Sequence, residues 1–270
     1  MPSLPLVSIC IPVYNSGFFV KETLESVLNQ SYRNIEVIVV DDNSKDETVK
    51  IVQSIDDVRL KLYCNDDNIG VVDNWNKSVD LSTGDYIKVM GGDDLLDKYC
   101  IEKQLDALLE FDVELVTSHK YVINSKGKTI VQKRSFENGI ISGQKAFKKS
   151  FLDGSNMIGE PVSGLFKRES FYRIGGFKPD FLYLIDMEFW YRVIGTGNLY
   201  CISKPLYSFR ISKGSLSSLL KGSQIEEFKK LRNKLENDGY VVFSVFEKIK
   251  SNVFCLVKGF VRKLFFILLS

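Results

Sequence analysis

The chain has one histidine in 270 residues, His119, so no pair of imidazoles is available to hold a metal or relay a proton. His119 reads most simply as a residue at the end of a strand. Cysteine is also sparse. Cys10, Cys64, Cys100, Cys201 and Cys255 are odd in number and widely spaced, and no C-x-x-C occurs. That pattern supports neither a zinc site nor a disulfide framework; it suits small core residues in a reducing compartment. No G-x-G-x-x-G follows the first apolar run, and no G-x-x-x-x-G-K followed by Ser or Thr is present, which disfavours dinucleotide oxidoreductases and P-loop nucleotidases. The start, MPSLPLVSIC, lacks the basic stretch and apolar core of a secretion signal, and no long uncharged apolar run suggests a spanning helix. Net charge is only +2, so the chain as a whole is not expected to bind nucleic acid. No internal repeat and no low-complexity segment interrupts it.

What is present is alternation. LVSICIPV (6–13) and IEVIVV (35–40) are β-branched, apolar and short, as buried strands are. Further strands are expected at 58–64, 86–90 and 115–121. Between them Val20, Leu24, Val27 and Leu28 form a helical stripe, and helices are expected over 71–81 and 98–110. Ser44 and Glu47 have the spacing of a capping box. Asn124 to Gly127 reads as a hairpin turn. The stretch 122–220 is less regular, like a loop-rich substrate region, and the pattern is helical from Ser223 on. Strands alternating with helices predict an α/β fold with a mainly parallel sheet, whose ligands bind beyond the carboxyl ends of the strands.

Acidic and turn residues cluster at that edge: Tyr14-Asn15 after the first strand, Asp41-Asp42 after the second, and Gly91-Gly92-Asp93-Asp94 after the fourth. Aspartates repel a diphosphate unless a hard dication bridges the two. Asp93 and Asp94 are thus candidate ligands for Mg²⁺ or Mn²⁺. Asp42 is a candidate acceptor of hydrogen bonds from a base or ribose, and Gly92 lets backbone come close to a ligand. An Asx turn with a helix cap explains residues 41–44 equally well taken alone.

The blocks VSICIPVYNSGFFVKETLESVLNQSYRNIEVIVVDDNSKDET, DNIGVVDNWNKSV, GDYIKVMGGDDLL, GEPVSGLFKRESFYRIGGF and IDMEFWYRV resemble, in order and spacing, the family 2 glycosyltransferases of the GT-A fold, over residues 6 to 218. The resemblance implies a nucleotide-sugar donor, a divalent cation (Mn²⁺ or Mg²⁺) and transfer with inversion to a hydroxyl of a saccharide or lipid-linked acceptor. A UDP-sugar is the commonest donor of such relatives, and cell-surface polysaccharide or glycolipid synthesis a common setting. By position, Pro12, Val13, Tyr14, Asn15 and Asp42 would surround base and ribose. Asn68, Gly70 and Asn76 lie in a block that contacts the donor. Asp93 falls on the metal-binding acid of the family's D-x-D, with Gly91 in place of the first aspartate and Asp94 as a compensating ligand.

Inversion needs one carboxylate to take the acceptor proton. The resemblance puts Asp186 there, with Ile185 in place of the preceding acid. An apolar neighbour would raise the pKa of Asp186 by desolvation. The plainer reading is that Asp186 and Glu188 begin a helix, where acids suit the dipole. Glu160 matches a block near the acceptor; it binds sugar hydroxyls or is an exposed turn. Arg210 and Lys213 either face the donor's diphosphate or belong to a solvated loop. Trp75, Trp190 and Tyr191 read as core rather than sugar platforms. GGFKPDFLYL reads as a mobile loop over the acceptor.

The expected organisation is a GT-A domain over 1–220, its donor half at 1–120 and its acceptor half at 121–220, followed by an amphipathic helical extension at 221–270. In 241–270, Val242, Val245, Phe246, Ile249, Val253, Leu256, Phe260 and Leu264 form a stripe. Lys248, Lys250, Lys258, Arg262 and Lys263 against Glu247 alone leave this segment at +4 and the rest of the chain at −2. Such a helix lies on an anionic membrane surface, or packs on the catalytic domain or on a second copy in a homo-oligomer. The expected location is the cytoplasm, on the inner face of the plasma membrane. Two other functions fit an acidic rim: a sugar-phosphate nucleotidyltransferase, and a catalytically degenerate glycan-binding subunit.

Overall fold

The computed structural model describes residues 4–212 and 224–269, with residues 262–269 described through their backbone alone. The two apolar runs become β1 (Val7–Val13) and β2 (Ile35–Asp41), every residue of both buried. With β3 (Leu60–Cys64) and β4 (Tyr86–Val89) they form a parallel sheet in the order β3-β2-β1-β4. Buried strands of β-branched residues need cover on both faces. Helix α1 (Val20–Leu28) buries Val20, Thr23, Leu24 and Val27, and α3 (Val71–Asp80) buries Asn74, Ser78 and Val79.

Between β2 and β3 lies the short helix α2 (Thr48–Gln53), which corrects the capping-box reading. The helix begins at Thr48, and Ser44 Oγ instead accepts the Asn15 amide at 2.8 Å.

The second half is more strand-rich than the sequence suggests. It contains β5 (Leu95–Leu96), α4 (Cys100–Glu110), β6 (Leu115–Ile123), β7 (Thr129–Lys133), β8 (Gly139–Ser142) and α5 (Gly143–Asp153). These are followed by β9 (Leu165–Lys167), α6 (Arg168–Ile174), α7 (Ile185–Ile194) and β10 (Asn198–Arg210). The sheet continues from β4 through β9, β6, β10 and β5. Strand β9 runs antiparallel between β4 and β6, so the parallel order of the first half becomes mixed here. The hairpin joining β6 to β7 turns where expected, with Asn124 Oδ1 accepting the Lys126 and Lys128 amides. The thirteen-residue β10 was hidden by Pro205, which sits between two register shifts.

Helices α8 (Gln224–Asn237) and α9 (Val245–Leu269) close the chain. Phe228, Leu231 and Leu235 of α8 join the same buried cluster as Phe166, Phe147 and Trp190, so α8 shares the core of the sheet's second half. Trp190 is fully buried and Trp75 packs edge-on against Phe177 at 5.1 Å. Tyr191 packs on Phe147 and Tyr240, so all three aromatics are core residues. His119 lies buried in β6 with Nδ1 accepting the Ser135 amide, and desolvation lowers its pKa.

Candidate active site

At the carboxyl ends of β1 and β2 two loops are stapled together. Besides the Asn15–Ser44 bond, Asn15 Oδ1 accepts the Lys45 amide, Thr48 Oγ1 accepts the Ser16 amide and Asp46 accepts the Gly17 amide. Asn15 and Asn43 adopt left-handed backbone (φ 50° and 61°), as asparagine tolerates in turns. The polar run after β2 is therefore a fastening for the loop after β1. Pro12 and Val13 are buried at the end of β1, while Tyr14 is 51% exposed at the rim.

Asp42 is buried and anchors the loop after β3. It accepts the amides of Ile69 and Gly70 at 2.9 and 3.0 Å and the Asn65 side-chain amide at 2.8 Å. Asn68 donates to the Asp42 carbonyl, and Gly70 enters α3 at φ 88°. Asp42, Asn68 and Gly70 thus meet at one corner of the rim. Asn76 does not join them. Its amide clasps the backbone of Phe177 in both directions, in the loop after α6.

The loop after β4 carries Gly91-Gly92-Asp93-Asp94. A Cβ on Gly92 would sit 2.8 Å from Val13 Cγ1, so glycine is what lets this loop close on β1. A Cβ on Gly91 would lie 3.0 Å from Asp93 Oδ1 and 3.7 Å from Asp94 Oδ2. Both carboxylates thus converge on the position that a first aspartate would have occupied. Burial raises the pKa of Asp93. Burial and the Asp93 charge raise that of Asp94 well above the usual carboxylate range. Two adjacent desolvated carboxylates form a hard-oxygen donor set that a dication would neutralise. They are two candidate donors and not three, for the described residues contain no cluster of three or more His, Cys, Asp or Glu able to hold a metal.

Arg210, at the end of β10, is no solvated-loop residue. Its guanidinium is buried and committed to the fold. It donates to the Asp93 carbonyl (2.7 Å), the Asn124 carbonyl (3.2 Å) and Glu22 (2.6 Å), and its carbon lies 4.7 Å from the centre of the Phe19 ring. Its amide also donates to Asp94 Oδ1. It holds the acidic loop in place. Lys213 lies outside the described residues.

A cavity of about 580 Å³ opens beside this loop, lined among others by Lys120, Asn156, Glu160, Tyr183, Asp186 and Tyr207. Asp186 begins α7. It accepts the Met187 amide at 2.6 Å and the Asn156 side-chain amide at 3.0 Å. Burial first, and then the negative charge of Glu160, push its pKa up to about 7, against the pull of the helix terminus. Ile185 is buried in the core, which explains why an apolar residue stands before the acid.

Glu160 is no exposed turn. It pairs with Lys120 and accepts the Tyr207 hydroxyl at 3.1 Å. Burial alone would raise its pKa, but the Lys120 ammonium outweighs burial and keeps it ionised. Its charge acts on Asp186 on one side and on Asp94 on the other, so the acidic loop and the cavity are electrostatically one site.

Sequence reasoning missed Lys120, Asn156 and Tyr207. Their signal was faint: alternating polar residues on two strands and an Asx turn, with nothing to say that they meet. The GGFKPDFLYL segment, expected to be mobile, is fastened. Phe177 and Phe181 are buried, and Glu227 of α8 accepts the amides of Tyr183 and Leu184 just before Asp186.

Residues 8–175 match the sequence profile of Glycosyl transferase family 2, more than half of the chain. The chain belongs to family 2 of the glycosyltransferases. An uncharacterised glycosyltransferase of Haemophilus influenzae is 29% identical over 93% of this chain and 78% of its own length. An uncharacterised protein of Mycobacterium tuberculosis is 28% identical over 72% of this chain, and the match spans 63% of that protein. Among solved structures, S. aureus TarS in complex with UDP-GlcNAc superposes with a TM-score of 0.69 at 17% identity, covering 97% of this chain and 73% of TarS. The mannosyltransferase PcManGT from Pyrobaculum calidifontis, in complex with GDP-Man and Mn²⁺, gives 0.59 at 17% identity, over 97% of this chain and 81% of its own. Both structures share the fold of this glycosyltransferase, a large central sheet flanked by helices.

Proposed function

We propose that this glycosyltransferase moves a sugar from a nucleotide-sugar, a UDP-sugar foremost, to an acceptor hydroxyl with inversion at the anomeric carbon. The observation that carries the reading is Asp186: a half-buried carboxylate at the wall of a sugar-sized cavity, its pKa raised to about 7, where it is ionised enough to act and basic enough to accept a proton. The acceptor hydroxyl gives its proton to Asp186 as its oxygen bonds to C1. The C1–O bond to the phosphate breaks, and the electron pair leaves on the nucleoside diphosphate. Glu160, ionised and held by Lys120 and Tyr207, is placed to receive sugar hydroxyls and to keep the Asp186 pKa high. No second carboxylate is needed as a nucleophile.

The donor's diphosphate belongs at the acidic loop. A dication held by Asp93 and Asp94 would supply the positive charge that such a leaving group needs. Mn²⁺ and GDP-Man in PcManGT, and UDP-GlcNAc in TarS, support a nucleotide-sugar with a metal as the ligand class. Gly91, in place of a third carboxylate, favours a second reading, a degenerate glycan-binding subunit.

A thermal-shift screen of UDP, GDP and their sugars with and without Mn²⁺, followed by assay of nucleoside diphosphate release, separates the readings. The expected result is stabilisation by one diphosphate that needs the metal and is abolished in Asp93→Ala, together with turnover. Binding without turnover would favour the degenerate subunit, and equal stabilisation after chelation would remove the metal.

A further inference from the structure

Helix α9 is amphipathic in the reverse sense to a surface helix of a soluble domain, whose apolar stripe faces the core. Its small and polar side faces the protein: Ser251, Cys255 and Gly259 are buried against the body. Ion pairs moor the flanks of that side. Lys148 meets Glu247 at 2.8 Å, Lys248 meets Glu236 at 2.9 Å, and Lys258 meets Asp153. Arg232 of α8 also donates to Asn252 at 2.9 Å. The stripe read from the sequence points outward. Val245, Phe246, Ile249, Val253, Leu256 and Phe260 are between 49% and 85% exposed, over about four turns. A continuous apolar face of this length marks an interaction surface.

Three observations name its occupant. An exposed apolar stripe with basic residues at its flank is the pattern of a helix lying on a bilayer surface, and no helix among the described residues is long and apolar enough to cross a bilayer. Segment 241–270 carries +4 by sequence in a chain whose remainder carries −2; with Lys248 and Lys258 paired to Glu236 and Asp153, the exposed Lys250 flanks the stripe, and the segment as a whole suits an anionic surface and disfavours pairing with a second copy of itself. And Lys258 and Val261 of α9 line the same cavity as Asp186, so the cavity opens beside the helix; Lys120 and Lys258 pair there with Glu160 and Asp153, and Lys133 and Arg134 add two further cations to the lining.

We propose that α9 lies in the headgroup layer of an anionic membrane with its apolar stripe toward the acyl chains. The acceptor then reaches the cavity from that membrane, carried on a lipid phosphate. The second part rests on the transferase reading; the first does not.

Vesicle co-sedimentation of the full chain tests the first part without any turnover. The probes are phosphatidylcholine vesicles with about 30% phosphatidylglycerol, and phosphatidylcholine alone. Binding is expected to the anionic vesicles and to weaken as salt is raised. Phe246→Ser with Leu256→Ser, both exposed and so compatible with an unchanged melting temperature, is expected to weaken it at least about tenfold. Lys250→Gln is expected to weaken it about fivefold on anionic vesicles and not at all on neutral ones. Wild-type protein left in the supernatant with both vesicles would overturn the proposal. So would a wild-type dimer that the Ser variant converts to monomer without any effect on vesicles, since the stripe would then be a self-interface. If vesicles bind as expected but neither a lipid-phosphate saccharide nor a soluble one is glycosylated, the membrane surface stands and the transferase reading fails.

Discussion

At the amino end of the parallel sheet, the buried Glu36 is saturated. Ser8 Oγ (2.7 Å), the Thr83 amide and hydroxyl and the Gly84 amide (3.2 Å) all donate to its Oε1, and the Lys61 ammonium reaches Oε2 at 2.9 Å. Burial alone would raise its pKa, but these partners outweigh it and hold the carboxyl at about 2. At the carboxyl end and in the cavity beside it, Asp94 is as deeply buried and Asp93 and Asp186 are half-buried, yet the pKa values of all three are raised. One sheet therefore buries acids in two ways. Where the protein supplies the partners, the acid holds strands together. Where the partners are too few, the fold carries an unneutralised group, as expected where a ligand completes the set.

The comparison breaks first at Asp186. Asp186→Asn is expected to keep donor-dependent thermal stabilisation and to lose about 10³-fold in transfer rate, because the amide cannot take a proton. Steady-state kinetics with retained donor binding checks it, and retained turnover would reassign the base. In the wild type, the transfer rate should fall about tenfold per pH unit below a midpoint near 7, and that limb should be absent from the residual activity of the variant. The same shift has a stability sign. The folded pKa lies above the ordinary 3.8, so the native state binds the proton more tightly, and its contribution is lost as pH rises from about 4 through 7. Melting temperatures of wild type and Asp186→Asn should therefore diverge in favour of the variant between pH 5 and 8.

Next in size is the saturated acid. Glu36→Ala leaves the Ser8 hydroxyl buried without its acceptor and the Thr83 donors to water, while the Gly84 amide keeps Ser8 Oγ, and it should cost about 2 kcal/mol at neutral pH, with donor affinity unchanged. Here the sign is reversed. The folded pKa of about 2 lies below the ordinary 4.5, so the stabilisation is present above 4.5 and is lost as pH falls through 2. Urea titrations at pH 7 and near pH 3 should show the gap between wild type and variant narrowing with acid.

The fold of the first half was legible because its signals are local. Buried parallel strands of Val and Ile, and helices with apolar residues three and four apart, need no tertiary information. The second half was not, because β9 and β10 are paired by residues far away in sequence and Pro205 broke the pattern of β10. At the site, Asp93, Asp94, Glu160 and Asp186 were legible as chemistry placed where strands or turns end. What stayed hidden was commitment. Arg210 and Asn76 have the right chemistry for a ligand, but their donors are taken by Glu22, by backbone carbonyls and by Phe177. On strands with no motif, Lys120 holds Glu160 ionised and Tyr207 donates its hydroxyl to it.

The smallest effect sharpens what saturates Glu36. Among the described residues, Lys61 supplies the only full charge hydrogen-bonded to Glu36, but that side chain is 46% exposed, and water screens the pair. The neutral donors from Ser8, Thr83 and Gly84 all converge on the other oxygen, buried between strands. Lys61→Met should therefore cost well under about 1 kcal/mol, a difference that shrinks further in high salt, while Glu36→Ala keeps its full cost there. Equal losses in the two variants would mean that the ammonium, and not the inter-strand hydrogen bonds, holds the amino end of the sheet, and the contrast between its two ends would then be one of charge pairing rather than of hydrogen-bond supply.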